Sequence, residues 1–230
     1  MTNQPSSCAW HPALAGVSLL LVDFDGPLVR LLPDPEHLRL TGRLAQWYAD
    51  RGGEPPSTTD HVQLLRHIHA QHPGLADEAE QLVTDAELAA AAAHSAYPHA
   101  VGFLREWQAD GGRVAIVSNN AEEAVRRVLT RTSLATNGGW TVHARRAGGI
   151  ARLKPAPDLL VEAMAAHAAS SDVTVMIGDT PSDVRAGSAA GVRTIGATDD
   201  AQQAAGLRAA GAAITIRHLI DLSIHDTPGG

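Results

Sequence analysis

The sequence predicts an α/β protein: a parallel sheet wound with helices on both faces and interrupted by an all-helical insertion. Three observations carry this. Runs at 17–22, 113–117 and 173–177 are β-prone and apolar without alternation, the pattern of strands covered on both faces. Helical patterns alternate with strand patterns through the second half of the chain, which implies βαβ crossovers and a doubly wound, Rossmann-like core. Between about residues 31 and 97 that alternation stops, and only helical patterns appear.

In chain order, a polar stretch with prolines at 1–12 reads as a loose tail before the strand at 17–22. Helical patterns follow at 37–50, 60–71 and 77–95, the last containing five consecutive alanines, the best helix formers. Next come a helix at 100–109, a strand at 113–117 introduced by Gly111-Gly112, a helix at 122–130 and a strand at 140–144. Two further pairs, helix 157–167 with strand 173–177 and helix 182–190 with strand 192–195, lead to helix 202–210 and strand 213–216. The expected division is an α/β core of 1–30 and 98–230, with 31–97 as a helical cap over the C-terminal edge of the sheet.

The 230 residues suffice for one domain, or for a core with a smaller insertion. With 44% hydrophobic and 19% charged residues the chain is globular in type, and only 3% aromatics point to an aliphatic core. A net charge of −7 with no basic stripe argues against a nucleic-acid partner. An acidic chain that handles an anion needs its positive charge gathered locally, a metal cation included. Cys8 is the one cysteine, which excludes an intrachain disulfide and a cysteine-rich zinc site. No basic residues open a secretory signal, and the apolar stretch 13–22 is too short to span a bilayer, so no membrane association and a cytoplasmic location are expected. Either a monomer or a homodimer fits.

In open α/β sheets, sites form outside the carboxyl ends of the strands. The polar residues fall there. Asp23 and Asp25 end the first strand, Ser118 the second, and Asp179, followed by Asp183, a later one. Side chains two apart on an extended segment leave on the same face, so Asp23 and Asp25 can reach one ligand. Lys154, in the loop LKPAPD, is the only lysine among 18 basic residues. A compact, mobile point charge differs from the fork of an arginine.

Asp23-Phe24-Asp25-Gly26, Ser118-Asn119, Lys154-Pro155 and Gly178-Asp179 with Asp183, in this order, resemble the four motifs of the haloacid dehalogenase-like hydrolase superfamily. The resemblance covers nearly the whole chain. It is to the phosphatase branch with a helical cap after the first strand, the group of phosphoglycolate phosphatases and β-phosphoglucomutases. It implies that Asp23 forms an aspartyl-phosphate and that Asp25 acts as acid and then base. Asp23, the Asp25 carbonyl, Asp179 and, less directly, Asp183 would hold Mg²⁺. Ser118, Asn119 and Lys154 would contact the phosphate of a small phosphorylated metabolite.

Asp25 argues against dehalogenase chemistry, whose enzymes lack that acid. A cap without lysine argues against the phosphonate-cleaving branch. Two alternatives stay open: a phosphosugar mutase, which shares all four motifs, and a non-catalytic protein that binds a phosphorylated ligand. The second is prompted by Pro27, where the family usually places Thr and where proline removes an N–H and a hydroxyl. Plainer roles compete for several residues. Ser118, Asn119 and Asn120 could cap the helix beginning near Ala121, and Asp183 and Asp158 suit the first turns of helices. Asp183 also suits a partner of Lys154. Arg30 is placed to reach the site or meet the cap. The cap histidines at 61–72, His69 and His72 among them, fit a solvated helix face over a buried stripe of Leu64, Leu65 and Ile68.

Overall fold

Leu19–Val22 carries four successive buried side chains, and their alternation divides the core in two. Leu20 and Val22 belong to one apolar layer, Leu19 and Leu21 to the other. Each fully buried aliphatic side chain contributes about 1.5–3 kcal/mol, which fixes this strand at the centre of the molecule. The computed structural model describes residues 9–132, 134 and 140–224. Cys8 and the greater part of the expected tail lie outside the described residues.

The strands are β1 (Ala9–Trp10), β2 (Leu19–Val22), β3 (Arg113–Ala121), β4 (Trp140–Arg145), β5 (Thr174–Gly178), β6 (Arg193–Ala197), β7 (Ile214–Ile216) and β8 (Ser223–Ile224). Six of them form one parallel sheet in the order β4-β3-β2-β5-β6-β7. Between β2 and β3 lie α1 (Glu36–Ala49), α2 (His61–Gln71), α3 (Ala76–Ala93) and α4 (Pro98–Ala109). The remaining helices are α5 (Glu122–Leu129), α6 (Asp158–Ala166), α7 (Pro181–Ala189) and α8 (Ala201–Ala210).

Helices cover both faces. Phe103, Leu104 and Trp107 of α4 and Val125 and Val128 of α5 pack in the layer of Leu20, Val22, Ile116 and Ile177. On the other side, Leu159, Leu160 and Met164 of α6 and Ala186 of α7 meet Leu19, Leu21, Ala115 and Met176. The inserted helices α1, α2 and α3 contribute Leu44, Leu64, Leu65, Ile68 and Val83 to the first layer, so the insertion shares a core with the sheet.

Two details depart from the sequence expectation. Residues 9–12 are tied down: β1 pairs antiparallel with β8, and Trp10 stacks edge-on against Phe103 and Trp107. Strand β3 continues through Ala121, with a register shift against β4 after Val117. Short polar side chains gave no apolar signal for that extension. Among the described residues, no helix is long and apolar enough to cross a membrane.

Candidate active site

After β2 the chain leaves through the insertion for β3 on one side; after β5 it leaves through α7 for β6 on the other. The diverging connections open a crevice between adjacent β2 and β5, the position at which open α/β sheets bind ligands. A cavity of about 900 Å³ occupies it. The sheet side of its wall carries Asp23, Asp25, Asn119, Asn120, Lys154 and Asp179, and the insertion contributes His37, Asp60, His61 and Arg66.

Lys154 is the hub. Its ammonium lies 2.8 Å from Asp23 Oδ1 and 2.7 Å from Asp183 Oδ1, and donates to the Val117 carbonyl at 3.0 Å. Three N–H groups thus meet three oxygens. Burial would pull the lysine down, but the Asp183 and Asp23 carboxylates more than reverse this and hold it above the usual lysine range. The backbone of Lys154 is clamped as well. Its N–H donates to Asn119 Oδ1 (2.8 Å), Asn119 Nδ2 donates to its carbonyl (3.0 Å), and Arg66 of α2 donates to the carbonyls of Leu153 and Lys154.

Asp23 Oδ1 also accepts the Phe24 N–H at 2.7 Å. Burial, then the charge of Asp183, pushes Asp23 up to about 8, with Lys154 opposing. Asp25 is raised by burial too, against the Leu31 N–H that donates to its Oδ1 at 2.9 Å. Asp179 stands well above the carboxylate range because it is buried beside Asp23, Asp183 and Asp25. So many acids in one crevice call for a cation. One oxygen from each of Asp23, Asp179 and Asp183 falls within 4.8 Å of the others, and Asp179 Oδ1 is buried without a hydrogen-bond partner. Hard carboxylate oxygens of this kind suit Mg²⁺.

Asp183 is held between two tasks. Its Oδ2 accepts the N–H and hydroxyl of Thr180 in a capping box that starts α7, while Oδ1 faces Lys154. Both plainer readings of Asp183, a first-turn acid and a lysine partner, describe its contacts. Gly26 is required by close approach. It has φ +106°, and a Cβ there would lie 2.3 Å from Asp179 Cγ. Pro27 sits in the turn that follows, closed by Gly26 N–H to Val29 O, and by Leu28 and Val29 N–H to Phe24 O. None of these bonds uses an N–H at position 27.

Ser118 is fully buried behind the cavity wall, and its hydroxyl donates to Asn120 Oδ1 at 2.9 Å. None of Ser118, Asn119 and Asn120 caps α5, whose N-cap is Ala121 without a side-chain bond. The cap reading of Asn120 is therefore corrected: its Nδ2 donates to Glu87 of α3 instead. Arg30 lines the cavity. Asp158 lies in the first turn of α6, and Leu64, Leu65 and Ile68 form the buried stripe of α2. His72 Nδ1 meets the Tyr48 hydroxyl at 2.6 Å, and among the described residues the cap histidines form no metal cluster.

Sequence reasoning missed Arg66, Arg145 and Glu87. Glu87 had a signal. With Glu80 it shares the α3 stripe of Ala76, Ala79, Val83 and Ala91, and an acid on an apolar stripe needs a buried partner. That partner is Arg145, 2.6 Å from Glu87 and 3.3 Å from Glu80.

A family model described as haloacid dehalogenase-like hydrolase matches residues 17–191, spanning β2 through α7 and hence every acid of the crevice. The chain belongs to this hydrolase family. Among its relatives, a phosphoglycolate phosphatase of Rhodospirillum rubrum is 29% identical over 199 residues, 76% of this chain and 77% of that one. Phosphoglycolate phosphatase 1 of Pseudomonas aeruginosa is 28% identical over 193 residues, 76% and 67% of the two chains. A hydrolase structure from Pseudomonas syringae superimposes with a TM-score of 0.68 at 19% identity, covering 90% of this chain and 95% of that one. A CbbY variant from Rhodobacter sphaeroides in complex with xylulose-(1,5)-bisphosphate gives 0.65 at 17%, over 90% and 96%. These likenesses share the hydrolase fold.

Proposed function

We propose that the protein is a Mg²⁺-dependent phosphatase that hydrolyses a small phosphorylated metabolite through an aspartyl-phosphate on Asp23. The observation that supports it most is the meeting of Asp23, Asp25, Lys154 and Asp179 on the wall of one cavity beneath the inserted helices. Membership of the hydrolase family and the phosphatases among the relatives point the same way.

An Asp23 oxygen attacks phosphorus in line, and the bond from phosphorus to the ester oxygen breaks. Asp25, favoured in its protonated form by burial, gives its proton to the departing oxygen. Now a carboxylate, Asp25 takes a proton from a water molecule whose oxygen attacks the same phosphorus. The bond to Asp23 breaks, inorganic phosphate leaves, and both acids return to their starting states. Lys154 orients Asp23 through the Oδ1 contact and supplies positive charge beside the phosphoryl oxygens. Asn119 completes the phosphate side by holding the Lys154 backbone, and Ser118 joins it once its hydroxyl turns from Asn120 to a phosphate oxygen. Mg²⁺, held when bound by Asp23, Asp179 and the Asp25 carbonyl with Asp183 behind them, would neutralise phosphate oxygens and spread the developing charge.

The test is phosphate release from a panel of phosphorylated metabolites, 2-phosphoglycolate included, with Mg²⁺ and with chelator. Release from at least one ester that needs Mg²⁺ and Asp23 is expected. Binding of esters without turnover would overturn the reading in favour of a ligand-binding protein, and isomer formation without phosphate release in favour of a mutase.

A further inference from the structure

Glu87 belongs to none of the steps above, yet it is a charged side chain with 0% exposure on an inserted helix. A carboxylate only accepts hydrogen bonds. Oε1 accepts Asn120 Nδ2–H at 3.0 Å; Oε2 accepts the Ala121 N–H at 2.8 Å and Arg145 Nη2–H at 2.6 Å. His61 Nε2 is 3.8 Å from Oε1. Burial would raise this acid, but His61, Arg145 and the Ala121 N–H outweigh it and hold Glu87 below the usual range.

The consequence reaches Ser118. An asparagine amide has one donor end and one acceptor end. Because Glu87 takes the NH₂ group, Asn120 Oδ1 turns the other way, where it accepts the Ser118 hydroxyl at 2.9 Å. The Asn120 N–H donates back to Ser118 Oγ at 3.1 Å. Arg145, fixed by Glu87, donates through Nε to the Asn119 carbonyl at 3.2 Å, and Asn119 clamps the Lys154 backbone.

We propose that Glu87 is a positioning residue: from the inserted helix α3 it holds Asn120 and Arg145, and through them the 118–121 turn and the course of Asn119, which clamps Lys154 on the phosphate side of the site. This rests on the phosphatase reading. It also means that α3 is bolted to the end of β3, so displacement of that helix loosens the turn that receives phosphate.

Glu87→Gln keeps the shape and replaces one acceptor with a donor. Facing a Gln NH₂, Asn120 must turn its oxygen toward position 87 and its NH₂ toward Ser118, which breaks the Ser118–Asn120 bond and loosens the turn that carries Asn119. Adding Asn120→Asp moves the carboxylate across the same contact. The Gln NH₂ then donates to the Asp, Ser118 again has an acceptor, and the net charge beside Arg145 and Glu80 is unchanged.

Wild type, Glu87→Gln and Glu87→Gln/Asn120→Asp are compared in Mg²⁺ for inorganic phosphate affinity by calorimetry, kcat and KM for p-nitrophenyl phosphate, and Tm. Glu87→Gln should weaken phosphate binding and raise KM by about 10- to 100-fold, the scale on which small misplacements act. The double variant should recover most of that loss. A lower Tm with phosphate affinity and KM unchanged would reduce Glu87 to a structural role and overturn the proposal, as would a double variant no better than Glu87→Gln. Wild type that binds phosphate but hydrolyses no ester would sink the phosphatase reading, leaving the phosphate affinities to decide the role of Glu87. Wild type that binds no phosphate would overturn both.

Discussion

Lys154 Nζ and Asp23 Oδ1 are 2.8 Å apart in a buried ion pair, and the same ammonium bridges to Asp183 at 2.7 Å. Lys154→Met leaves two buried carboxylates facing each other, and breaking such a pair costs about 3–5 kcal/mol. Lys154→Arg keeps the charge, but a planar fork cannot place three donors around one point. The expected order in urea unfolding of cation-free protein is wild type, then Arg, then Met, with phosphate release lost in both variants. Full activity in Lys154→Arg would contradict the three-way contact.

Asp23→Asn should separate activity from stability. Turnover should fall by about 10⁴-fold or more, the scale on which loss of a nucleophile acts. In chelator the variant should be at least as stable as wild type, because Asp183 and Asp179 lose a like-charged neighbour. The sign in pH follows. With its carboxyl raised from 3.8 to about 8, Asp23 contributes stability that is complete below pH 4 and lost as pH rises toward 8. Tm in chelator should therefore fall from pH 4 to pH 8 more steeply in wild type than in the Asn variant.

Gly26→Ala tests the cation site from outside the acids. Its Cβ would stand 2.3 Å from Asp179 Cγ, so the carboxylate must move, and φ +106° strains the backbone. Wild type at a Mg²⁺ concentration one hundred times Kd should gain about 2.7 kcal/mol of stability. That gain should shrink in Gly26→Ala and in Asp179→Asn. Undiminished stabilisation by Mg²⁺ in both would place the cation elsewhere.

Glu87 should titrate with the opposite sign to Asp23. Held below its ordinary 4.5, it contributes stability present above that value and lost as pH falls through its folded pKa. The Tm difference between wild type and Glu87→Gln should shrink as pH falls below the ordinary 4.5. Arg145→Met, which strands Glu80 and Glu87, should cost about 3–5 kcal/mol at neutral pH. A difference independent of pH would mean that Glu87 is not the charged acceptor of this cluster.

The strands and helices were legible because burial on both faces leaves continuous apolar runs, as in 19–22, and helices keep a 3.6-residue stripe, as in α2. The acids at the ends of β2 and β5 could be read as neighbours because those strand ends converge in a parallel sheet. The polar tail of β3 was hidden, since its residues are held by side-chain bonds rather than by apolar burial. Glu87 was hidden for a related reason. Its place on an apolar stripe asks for a buried partner, but the arginine that meets it lies 58 positions away and is not named by the sequence.

By itself, the sequence determined a doubly wound sheet with a helical insertion, and it set Asp23, Asp25 and Asp179 at the ends of strands with Lys154 in a loop. Local propensity, periodicity and motif order suffice for that, because each is written within a few adjacent residues. The tertiary structure decided which of these groups touch. It gave Lys154 three oxygens, turned the Ser118 hydroxyl toward Asn120 through Glu87, and placed Pro27 in a turn closed by the N–H groups of Gly26, Leu28 and Val29. The direction of a hydrogen bond depends on every partner in its network, and those partners come together only when distant segments pack.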